Sequence, residues 1–403
     1  MSRYGNFEIF LVAAPGLEET LCAEVRLKGF KQPKAVPGGV TIKGGWPEVW
    51  RANLWVRGAG RVLARIDSFH IDQLSELENR ARQVRWGDVL RPDVPFSVDV
   101  TCKQSRIFHS DAAAERIANA IHDKIGAPYV KDADIIVMVR LDNDLCTISI
   151  DTSGDLLHKR GHKEAVSRAP MRETMASLFL RQCGYDGNEP VLDPMCGSGT
   201  FPIEAATIAS GAAPGADRKF AFEGWPSHEP AVWDQIRGTR GTPVPSRIYG
   251  SDRDAEAIRA ATANARRAGV ADRVELRCKA VEDLEFPASS GLIVANPPYG
   301  DRLRGPSSSW AALGRVVRER AMGWRIAILV PDPGLLRTAR LRLPKVASFS
   351  NGGIRIALIA GVSLALVVWT LRHPLVRLYT NDAAAAAVAL TLVPFLAAFH
   401  VFD

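Results

Sequence analysis

Short apolar segments alternate with longer amphipathic segments from Val191 to Val330, and this alternation constrains the fold more than any other feature. One predicted strand ends at Asp193 and leads through a turn of small residues into a helix that begins near Gly199. Later strands are predicted to end at Asp252 and at Asn296. Strands that alternate with helices favour a parallel sheet, so we predict an α/β domain with a mostly parallel seven-stranded sheet. Such sheets bind ligands beyond the carboxyl ends of their strands.

The turn after the first of these strands lets a ligand approach the backbone closely. Gly197 and Gly199 have no side chain, and the helix that follows them begins with free N–H groups. The turn is not the dinucleotide-binding motif G-x-G-x-x-G, because Pro202 stands where the third glycine would be. Two carboxylates, Asp252 and Asp283, follow later strands and are predicted to lie at the same edge of the sheet.

The segment Asn296-Pro-Pro-Tyr299 suits the chemistry of an exocyclic amine on a nucleobase. The lone pair of such an amine is delocalised into the ring, so the amine is a poor nucleophile. The side-chain oxygen of Asn296 and the carbonyl of Pro297 would accept its two hydrogens and orient the lone pair. The prolines add no competing N–H donor, and Tyr299 would stack on a base that has left its own stack.

Together, the glycine turn and the Asn-Pro-Pro-Tyr segment resemble the class I methyltransferases that use S-adenosylmethionine (SAM) to modify amino groups. By this resemblance the ribose hydroxyls bind Asp252, the adenine amino group binds Asp283, and the methionine end faces Asp193. The cofactor-binding residues that it implies are Asp193, Pro194, Cys196, Gly197, Ser198, Gly199, Thr200, Asp252 and Asp283. The catalytic residues that it implies are Asn296, Pro297, Pro298 and Tyr299. This motif is shared by enzymes that act on adenine N6, guanine N2 and glutamine side chains, and it requires no metal ion.

The first 155 residues predict two smaller α/β units, which we place at residues 1–55 and 56–155. The second contains a basic turn, Lys103-Gln-Ser-Arg106, followed by Phe108-His109, and an amphipathic helix from Ala112 to Ile125. The order of elements and this turn resemble a THUMP domain with its ferredoxin-like partner, a pair that captures structured RNA. The alternative interpretation of the turn is a solvated loop. The RNA contacts predicted in this domain are Lys103, Arg106 and His109.

Residues 156–170 form a basic linker, Leu157-His-Lys-Arg-Gly-His-Lys163 followed by Ser167-Arg-Ala-Pro170. A charged segment of this kind is often only a soluble connection, but here it precedes the catalytic unit, where RNA phosphates would pass. We therefore predict RNA contacts at Lys159, Arg160 and Lys163, which would make binding sensitive to salt.

With these N-terminal units, residues 5–360 resemble the bacterial 23S ribosomal RNA guanine-N2 methyltransferases. The resemblance implies methyl transfer from SAM to guanine N2 in ribosomal RNA, by a methyltransferase domain at residues 171–360. Three alternatives remain: a transfer RNA guanine-N2 methyltransferase, a non-catalytic RNA-binding protein, and a DNA adenine-N6 methyltransferase. Trp225 and Trp233 lie in an irregular insert, residues 211–247, where they either pack or approach the substrate cleft.

The bulk composition is consistent with a cytoplasmic RNA-binding enzyme. The 403 residues can hold two or three domains, and the net charge of +7 favours a polyanionic partner. The six cysteines are scattered, without a metal-ligand spacing, which predicts a reduced protein with no disulfide and no metal site. We expect a monomer.

The last part of the chain, residues 361–403, does not fit this family. Two apolar runs, Ile356–Leu371 and Ala383–Phe402, are each near the length that spans a bilayer. The segment Pro374–Asp382 resembles a fragment of a MATE-type efflux transporter. We predict an apolar helical tail that arose by gene fusion or by joining of unrelated sequence. A membrane anchor and an apolar hairpin packed on the enzyme are the alternatives.

Overall fold

The computed structural model describes residues 5–163, 171–298, 306–351 and 354–362. These residues fall into two compact units. The chain passes from one unit to the other after Gly161, after Ala212 and after Gly241. The first unit contains the N-terminal part and residues 213–241. The second contains the segment with the glycine turn and everything after Gly241.

The first unit is built on one seven-stranded sheet. Its strands are β1 (Phe7–Val12), β2 (Lys34–Val36), β3 (Gly39–Gly44), β4 (Val62–His70), β5 (Phe96–Lys103), β6 (Ile135–Asp142) and β7 (Leu145–Asp151). Their order in the sheet is β2-β3-β1-β4-β7-β6-β5, and every pairing is antiparallel except that of β5 with β6. Because β1 pairs with β4, the sheet continues from the predicted ferredoxin-like segment into the predicted THUMP segment.

Five helices belong to this unit: α1 (Glu18–Leu27), α2 (Trp46–Trp55), α3 (Leu74–Gln83), α4 (Ser110–Ile125) and α7 (Pro230–Gly238). Short 3-10 helices occur at Trp86–Asp88 and Ala221–Gly224. The amphipathic pattern predicted α4 closely, with Gly126 as its left-handed C-cap.

The tryptophans of the predicted insert are packing residues of the first unit. Trp225 and Trp233 are both buried. Trp225 makes an edge-to-face contact with Trp46 of α2, at 5.7 Å between ring centroids, and Trp233 makes one with Phe222 at 5.1 Å. The insert is also less irregular than the sequence suggested, since Pro230 at the first helical position starts α7.

The second unit contains a mixed seven-stranded sheet. Its strands are β8 (Val191–Asp193), β9 (Ile248–Asp252), β10 (Val274–Cys278), β11 (Gly291–Ala295), β12 (Trp324–Val330), β13 (Lys345–Asn351) and β14 (Ile354–Val362). Their order is β10-β9-β8-β11-β12-β14-β13. The first five strands are parallel, but β14 runs antiparallel to β12 and to β13. The prediction of a mostly parallel sheet therefore needs correction. The last two strands follow each other in a short hairpin, which forces an antiparallel pairing.

The helices of the second unit are α5 (Glu173–Gln182), α6 (Thr200–Ala209), α8 (Ala255–Arg267), α9 (Pro306–Arg320) and α10 (Gly334–Ala339), with a 3-10 helix at Val281–Asp283. Helix α9 packs on β8, β11 and β12 through a core that includes the fully buried Trp310. Gly314 of α9 lies against the last residue of α10. A Cβ at this position would lie 1.8 Å from the carbonyl oxygen of Ala339.

Strand β14 continues to Val362, two residues beyond the predicted end of the methyltransferase domain at residue 360. Residues 361 and 362 of the predicted helical tail are therefore strand, and the rest of the tail, residues 363–403 with the transporter-like segment, lies outside the described residues. Within the described ranges, no helix combines the length and the apolar character that a bilayer crossing needs.

Candidate SAM and amine site

The glycine turn connects β8 to α6 by backbone conformations that favour glycine. Gly197 has a φ of 53° and Gly199, the N-cap of α6, a φ of 86°. Gly199 also lacks space for a side chain, because a Cβ would lie 3.0 Å from the Cβ of Ala261 in α8. The turn therefore needs a glycine at position 199 both for its dihedral angles and for the packing of α6 on α8.

Hydrogen bonds fix this turn to the end of β9. The N–H of Gly197 donates to Oδ2 of Asp252 at 2.9 Å, and the N–H of Cys196 donates to the Ser251 carbonyl at 2.9 Å. The Ser251 hydroxyl donates to the Pro194 carbonyl at 3.5 Å. The glycine turn and the end of β9, both predicted to bind the cofactor, are thus in direct contact. The N–H groups of Ser198 and Thr200 donate to no described residue, which leaves them available to a ligand.

The Asp252 carboxylate is oriented by two hydrogen bonds and can accept more. Its Oδ1 accepts from the N–H of Asp254 at 2.9 Å, and its Oδ2 accepts from Gly197. A carboxylate offers about four lone-pair sites, so roughly two remain for a ligand. The side chain is half-buried at the carboxyl end of its strand. A pair of adjacent hydroxyl groups, such as those of a ribose, fits this acceptor.

Asp193 is buried to 2 % exposure beside this pair of segments. Its Oδ1 accepts from the N–H of Met195 at 3.0 Å. Burial raises the pKa of Asp193 to about 8; the Met195 hydrogen bond opposes this rise, and the charge of Asp252 adds to it. A cationic group of a ligand would lower this pKa again, so the position suits an ammonium or sulfonium ligand.

Cys196 and Ser198 are buried and contribute to the site through the backbone. Burial raises the pKa of the Cys196 thiol well above its usual range, with additional effects of Asp193 and Asp252. The thiol is therefore protonated and not a nucleophile. The Ser198 carbonyl accepts from Nδ2 of the buried Asn264 in α8 at 3.1 Å, which holds the turn against that helix.

Lys163 is a structural residue of the second unit, which corrects its prediction as an RNA contact. Its ammonium donates to the Thr200 hydroxyl and to the Met171 carbonyl, both at 2.8 Å, and lies 3.2 Å from Oε1 of Glu173. Burial lowers the pKa of Lys163 and raises that of Glu173, and each charge opposes the other's shift. Because the Lys163 side chain is only 11 % exposed, it cannot reach a phosphate. The sequence pattern gave no indication of this buried pair.

Asp283 lies in the 3-10 helix after β10 and is exposed. Among the described residues its carboxylate has no hydrogen-bond or ion-pair partner. It follows β10 at the edge where β9 ends at Asp252, since these two strands are parallel. Its role with the adenine amino group stays a prediction.

Asn296 follows β11 and carries an unusual buried oxygen. Its Oδ1 is inaccessible to solvent and has no hydrogen-bond partner among the described residues. An unsatisfied buried acceptor costs about 1–3 kcal/mol, so it calls for a functional explanation. A donor from a bound substrate amine would satisfy this oxygen.

The proline segment after Asn296 is held by a residue that the sequence interpretation missed. Nε1 of Trp310 donates to the Pro298 carbonyl at 3.3 Å. Pro297 is buried, and no described residue donates to its carbonyl, the acceptor predicted for the second amine hydrogen. A tryptophan 14 residues after Asn296 in an amphipathic helix was a usable signal. Tyr299 lies outside the described residues.

The three RNA contacts predicted in the THUMP segment are all at the surface. Lys103, Arg106 and His109 are exposed, although Arg106 also pairs with Asp72 at 2.6 Å. Phe108 is 69 % exposed beside the ring of His109.

The two RNA contacts predicted in the linker part of the first unit differ in exposure. Lys159 is exposed and pairs with Asp155 at 2.7 Å. Arg160 is buried and donates to the carbonyls of Leu157 and Arg57, so its prediction as an RNA contact also needs correction.

Three family models match consecutive parts of the chain. An RlmL ferredoxin-like domain matches residues 8–63, a THUMP domain matches residues 72–151, and an RMKL-like methyltransferase domain matches residues 160–356.

Solved structures match nearly the whole chain. The structure of SMU.472 complexed with SAH, the demethylated product of SAM, is 27 % identical, with a TM-score of 0.80 over 89 % of this chain and 98 % of that one. A protein from Listeria monocytogenes, described as a predicted N6-adenine-specific DNA methylase, is 30 % identical, with a TM-score of 0.79 over 88 % and 96 %. TrmN from Thermus thermophilus shares the fold at 20 % identity, with a TM-score of 0.69 over 88 % and 98 %.

The fold and the site define a class I methyltransferase with SAM as its cofactor. The oriented carboxylate of Asp252, the buried Asp193 and the open N–H groups of the glycine turn fit that cofactor. With its three matched domains, the chain belongs to the RlmL-like family of THUMP-containing class I RNA methyltransferases.

The raised pKa of Asp193 predicts that SAM binding depends on pH. The amino group and the sulfur of SAM are both cationic, so binding should favour the ionised carboxylate. Because this pKa is about 8 in the free enzyme, Asp193 is mostly protonated near pH 6 and must release its proton on binding. We expect the Kd for SAM to fall by up to about tenfold per pH unit between pH 5.5 and 7.5.

Isothermal titration calorimetry in two buffers with different ionisation enthalpies measures both the Kd and the proton release. The matched control is Asp193→Asn, which cannot ionise and should bind SAM more weakly, with little pH dependence in this range. A wild-type Kd that is constant over these two pH units would contradict an ionised Asp193 at the methionine end.

Proposed function

We propose that this protein transfers a methyl group from SAM to the exocyclic N2 of a guanine in 23S ribosomal RNA. The observation that carries the proposal is the buried Oδ1 of Asn296, which has no hydrogen-bond partner among the described residues. With the Pro297 carbonyl, which also accepts no hydrogen bond from them, it would provide two acceptors for the two hydrogens of an exocyclic amine. The matched THUMP domain supports RNA as the carrier of that amine, and the choice of ribosomal RNA follows from the sequence resemblance.

In this proposal the protein contributes mainly alignment. When bound, SAM supplies an electrophilic methyl group on a cationic sulfur. Asn296 and Pro297 accept the amine hydrogens and direct the nitrogen lone pair towards the methyl group, while Trp310 holds the proline segment. The guanine nitrogen gains the methyl group and releases one proton to solvent. Positioning of this kind contributes about 7–11 kcal/mol in favourable cases.

Asp252 and the glycine turn would hold the nucleoside and methionine parts of the cofactor, and Asp283 its adenine amino group. Lys103, Arg106, His109 and Lys159 are the remaining candidates for RNA contacts. We further propose that the protein acts as a monomer in the cytoplasm. The alternative is membrane association through the two apolar runs at residues 356–402. Cell fractionation tests this, since full-length protein in the membrane pellet would contradict the cytoplasmic assignment.

One alternative has specific support. The Listeria relative is described as a predicted N6-adenine-specific DNA methylase, and the Asn-Pro-Pro-Tyr segment also resembles that of enzymes that act on adenine N6. The THUMP match at residues 72–151 favours RNA over DNA.

Mapping of methylated nucleotides decides among these substrates. Ribosomal RNA, transfer RNA and genomic DNA are prepared from cells with and without the gene and are digested to nucleosides for mass spectrometry. We expect loss of N2-methylguanosine from 23S RNA alone, and restoration by purified protein with labelled SAM. Loss of methylated guanosine only from transfer RNA, or of N6-methyladenine from DNA, would replace the proposal by the corresponding alternative.

A further inference from the structure

The positive charge of this chain is concentrated in one segment of the second unit. Residues 315–345 contain eight arginines and lysines and only two acidic residues, a net charge of +6 out of +7 for the whole chain. The remainder of the chain is therefore nearly neutral. The eight basic residues are Arg315, Arg318, Arg320, Arg325, Arg337, Arg340, Arg342 and Lys345.

Close packing of α9 on the C-terminal end of α10 brings several of these residues together. The backbone of Gly314 lies directly against the Ala339 carbonyl, where no side chain would fit. Arg318, one turn further along α9, donates to the carbonyls of Ala339 at 2.5 Å and Arg340 at 3.3 Å. We define the basic face as Arg315, Arg318, Arg337, Arg340 and Arg342.

Three of the five guanidinium groups of this face lack an ion pair in the described part of the chain, although the Asp332 carboxylate and Arg337 both lie within 3.4 Å of the position that a Cβ of Gly334 would take. Arg315, Arg337 and Arg340 are exposed and form no ion pair with any described residue. Arg318 bonds to carbonyl groups, which leave its charge intact. By contrast, exposed arginines of the first unit such as Arg91 pair with carboxylates. Like charges held close together repel one another, and an anionic partner would relieve that repulsion.

The chemistry of the face favours phosphate groups. All five of its residues are arginines, and one planar guanidinium group can donate two parallel hydrogen bonds to the oxygens of one phosphate. Helix α9 also connects the face to the candidate catalytic segment, because its Trp310 holds the Pro298 carbonyl. Eight residues separate Trp310 from Arg318, about 12 Å along the helix axis. A nucleic-acid strand whose base enters the pocket has further phosphates within such a distance.

We propose that the basic face binds the phosphate backbone of the RNA that carries the target base, as a second RNA-binding surface besides the THUMP domain. The proposal rests on the proposed function for the identity of the RNA. It assigns the anchoring of RNA on the catalytic unit to α9 and α10.

The test compares R315Q/R337Q/R340N with a matched control, R259Q/R266Q/R277Q, which removes three exposed arginines from other parts of the same unit. Asparagine suits position 340 because the backbone there is left-handed, with a φ of 52°. A third variant, R315K/R337K/R340K, keeps the charge. Binding to a 23S ribosomal RNA transcript is measured by filter binding at several salt concentrations, and SAM binding by calorimetry confirms folding.

For the neutralised face we expect RNA binding on the order of tenfold weaker near 0.1 M salt, and a slope of log K against log salt smaller by about 2. The control and the lysine variant should stay within about threefold of wild type, and SAM affinity should be unchanged in all variants. Equal losses in the neutralised face and the control, or no change in either, would overturn the proposal.

Two further outcomes separate this proposal from others. Vesicles of phosphatidylcholine and phosphatidylserine are tested in parallel, and loss of vesicle binding with unchanged RNA binding would assign the face to a membrane surface and overturn the proposal. Wild-type protein that binds the transcript through this face but methylates no guanine in it would refute the proposed function and leave the RNA-binding surface standing.

Discussion

Replacement of Asn296 by alanine is expected to lower kcat for methyl transfer by two to three orders of magnitude, comparable with the loss of one preorganised hydrogen-bonding group in other active sites. The side-chain oxygen of Asn296 is buried without a partner, so its removal leaves no other described acceptor at that place. The amine would then keep its lone pair conjugated with the ring. Asn296 does not contact the glycine turn through any described hydrogen bond, so the Kd for SAM should change less than threefold.

Single-turnover kinetics with labelled SAM and calorimetric titration of SAM separate the two effects. Asn296→Asp keeps an oxygen in the same position and should retain more activity than the alanine variant. Trp310→Phe, which loses the hydrogen bond to the Pro298 carbonyl and part of the buried ring, should have a smaller effect, up to about tenfold. Full turnover by Asn296→Ala would remove the residue from the mechanism.

Replacement of Asp252 by alanine is expected to weaken SAM binding about 10- to 100-fold. The carboxylate is oriented by the N–H groups of Gly197 and Asp254 and has further lone pairs for the ribose hydroxyls. Hydrogen bonds to a charged group contribute about 1.5–3 kcal/mol, which corresponds to this range of affinity. The substitution also releases Gly197 and so loosens the turn that faces the methionine end.

The matched control for this prediction is Asp254→Ala in the same loop. Asp254 is the N-cap of α8 and accepts from the N–H of Glu256 at 2.8 Å, so its loss should cost about 1 kcal/mol of stability and little SAM affinity. Calorimetry gives the Kd, and the KM for SAM should rise with kcat nearly unchanged at saturating cofactor. Similar Kd values for both alanine variants would place the ribose elsewhere.

The parts of the site that were predictable from sequence are those whose residue types follow from chemistry. An acid at the end of a parallel strand, two glycines in a strand-to-helix turn and an amide before two prolines each have a function that depends on the residue and its immediate neighbours. The structure accordingly places Asp252 and Gly197 in direct contact, although 55 positions separate them.

Basic residues were harder to assign because a charge in the sequence carries no information about its partner. Lys163 and Lys159 occur in the same basic linker, yet Lys163 is buried against Glu173 and Thr200 whereas Lys159 is exposed. The basic face was missed for a similar reason. Its arginines come from two helices, and only the packing of Gly314 on Ala339 places them together.

The sequence by itself indicated much of the succession of strands and helices, the glycine turn and the Asn-Pro-Pro-Tyr segment, because hydrophobic periodicity and local backbone requirements are properties of short stretches of chain. The tertiary structure alone decided that residues 213–241 pack into the first unit and that the last hairpin makes the second sheet mixed. It also decided which charged side chains are buried and which face solvent. These outcomes depend on burial and on pairing between residues far apart in the chain. Such contacts exist only in the folded protein, so their free energies cannot be judged from short stretches of sequence.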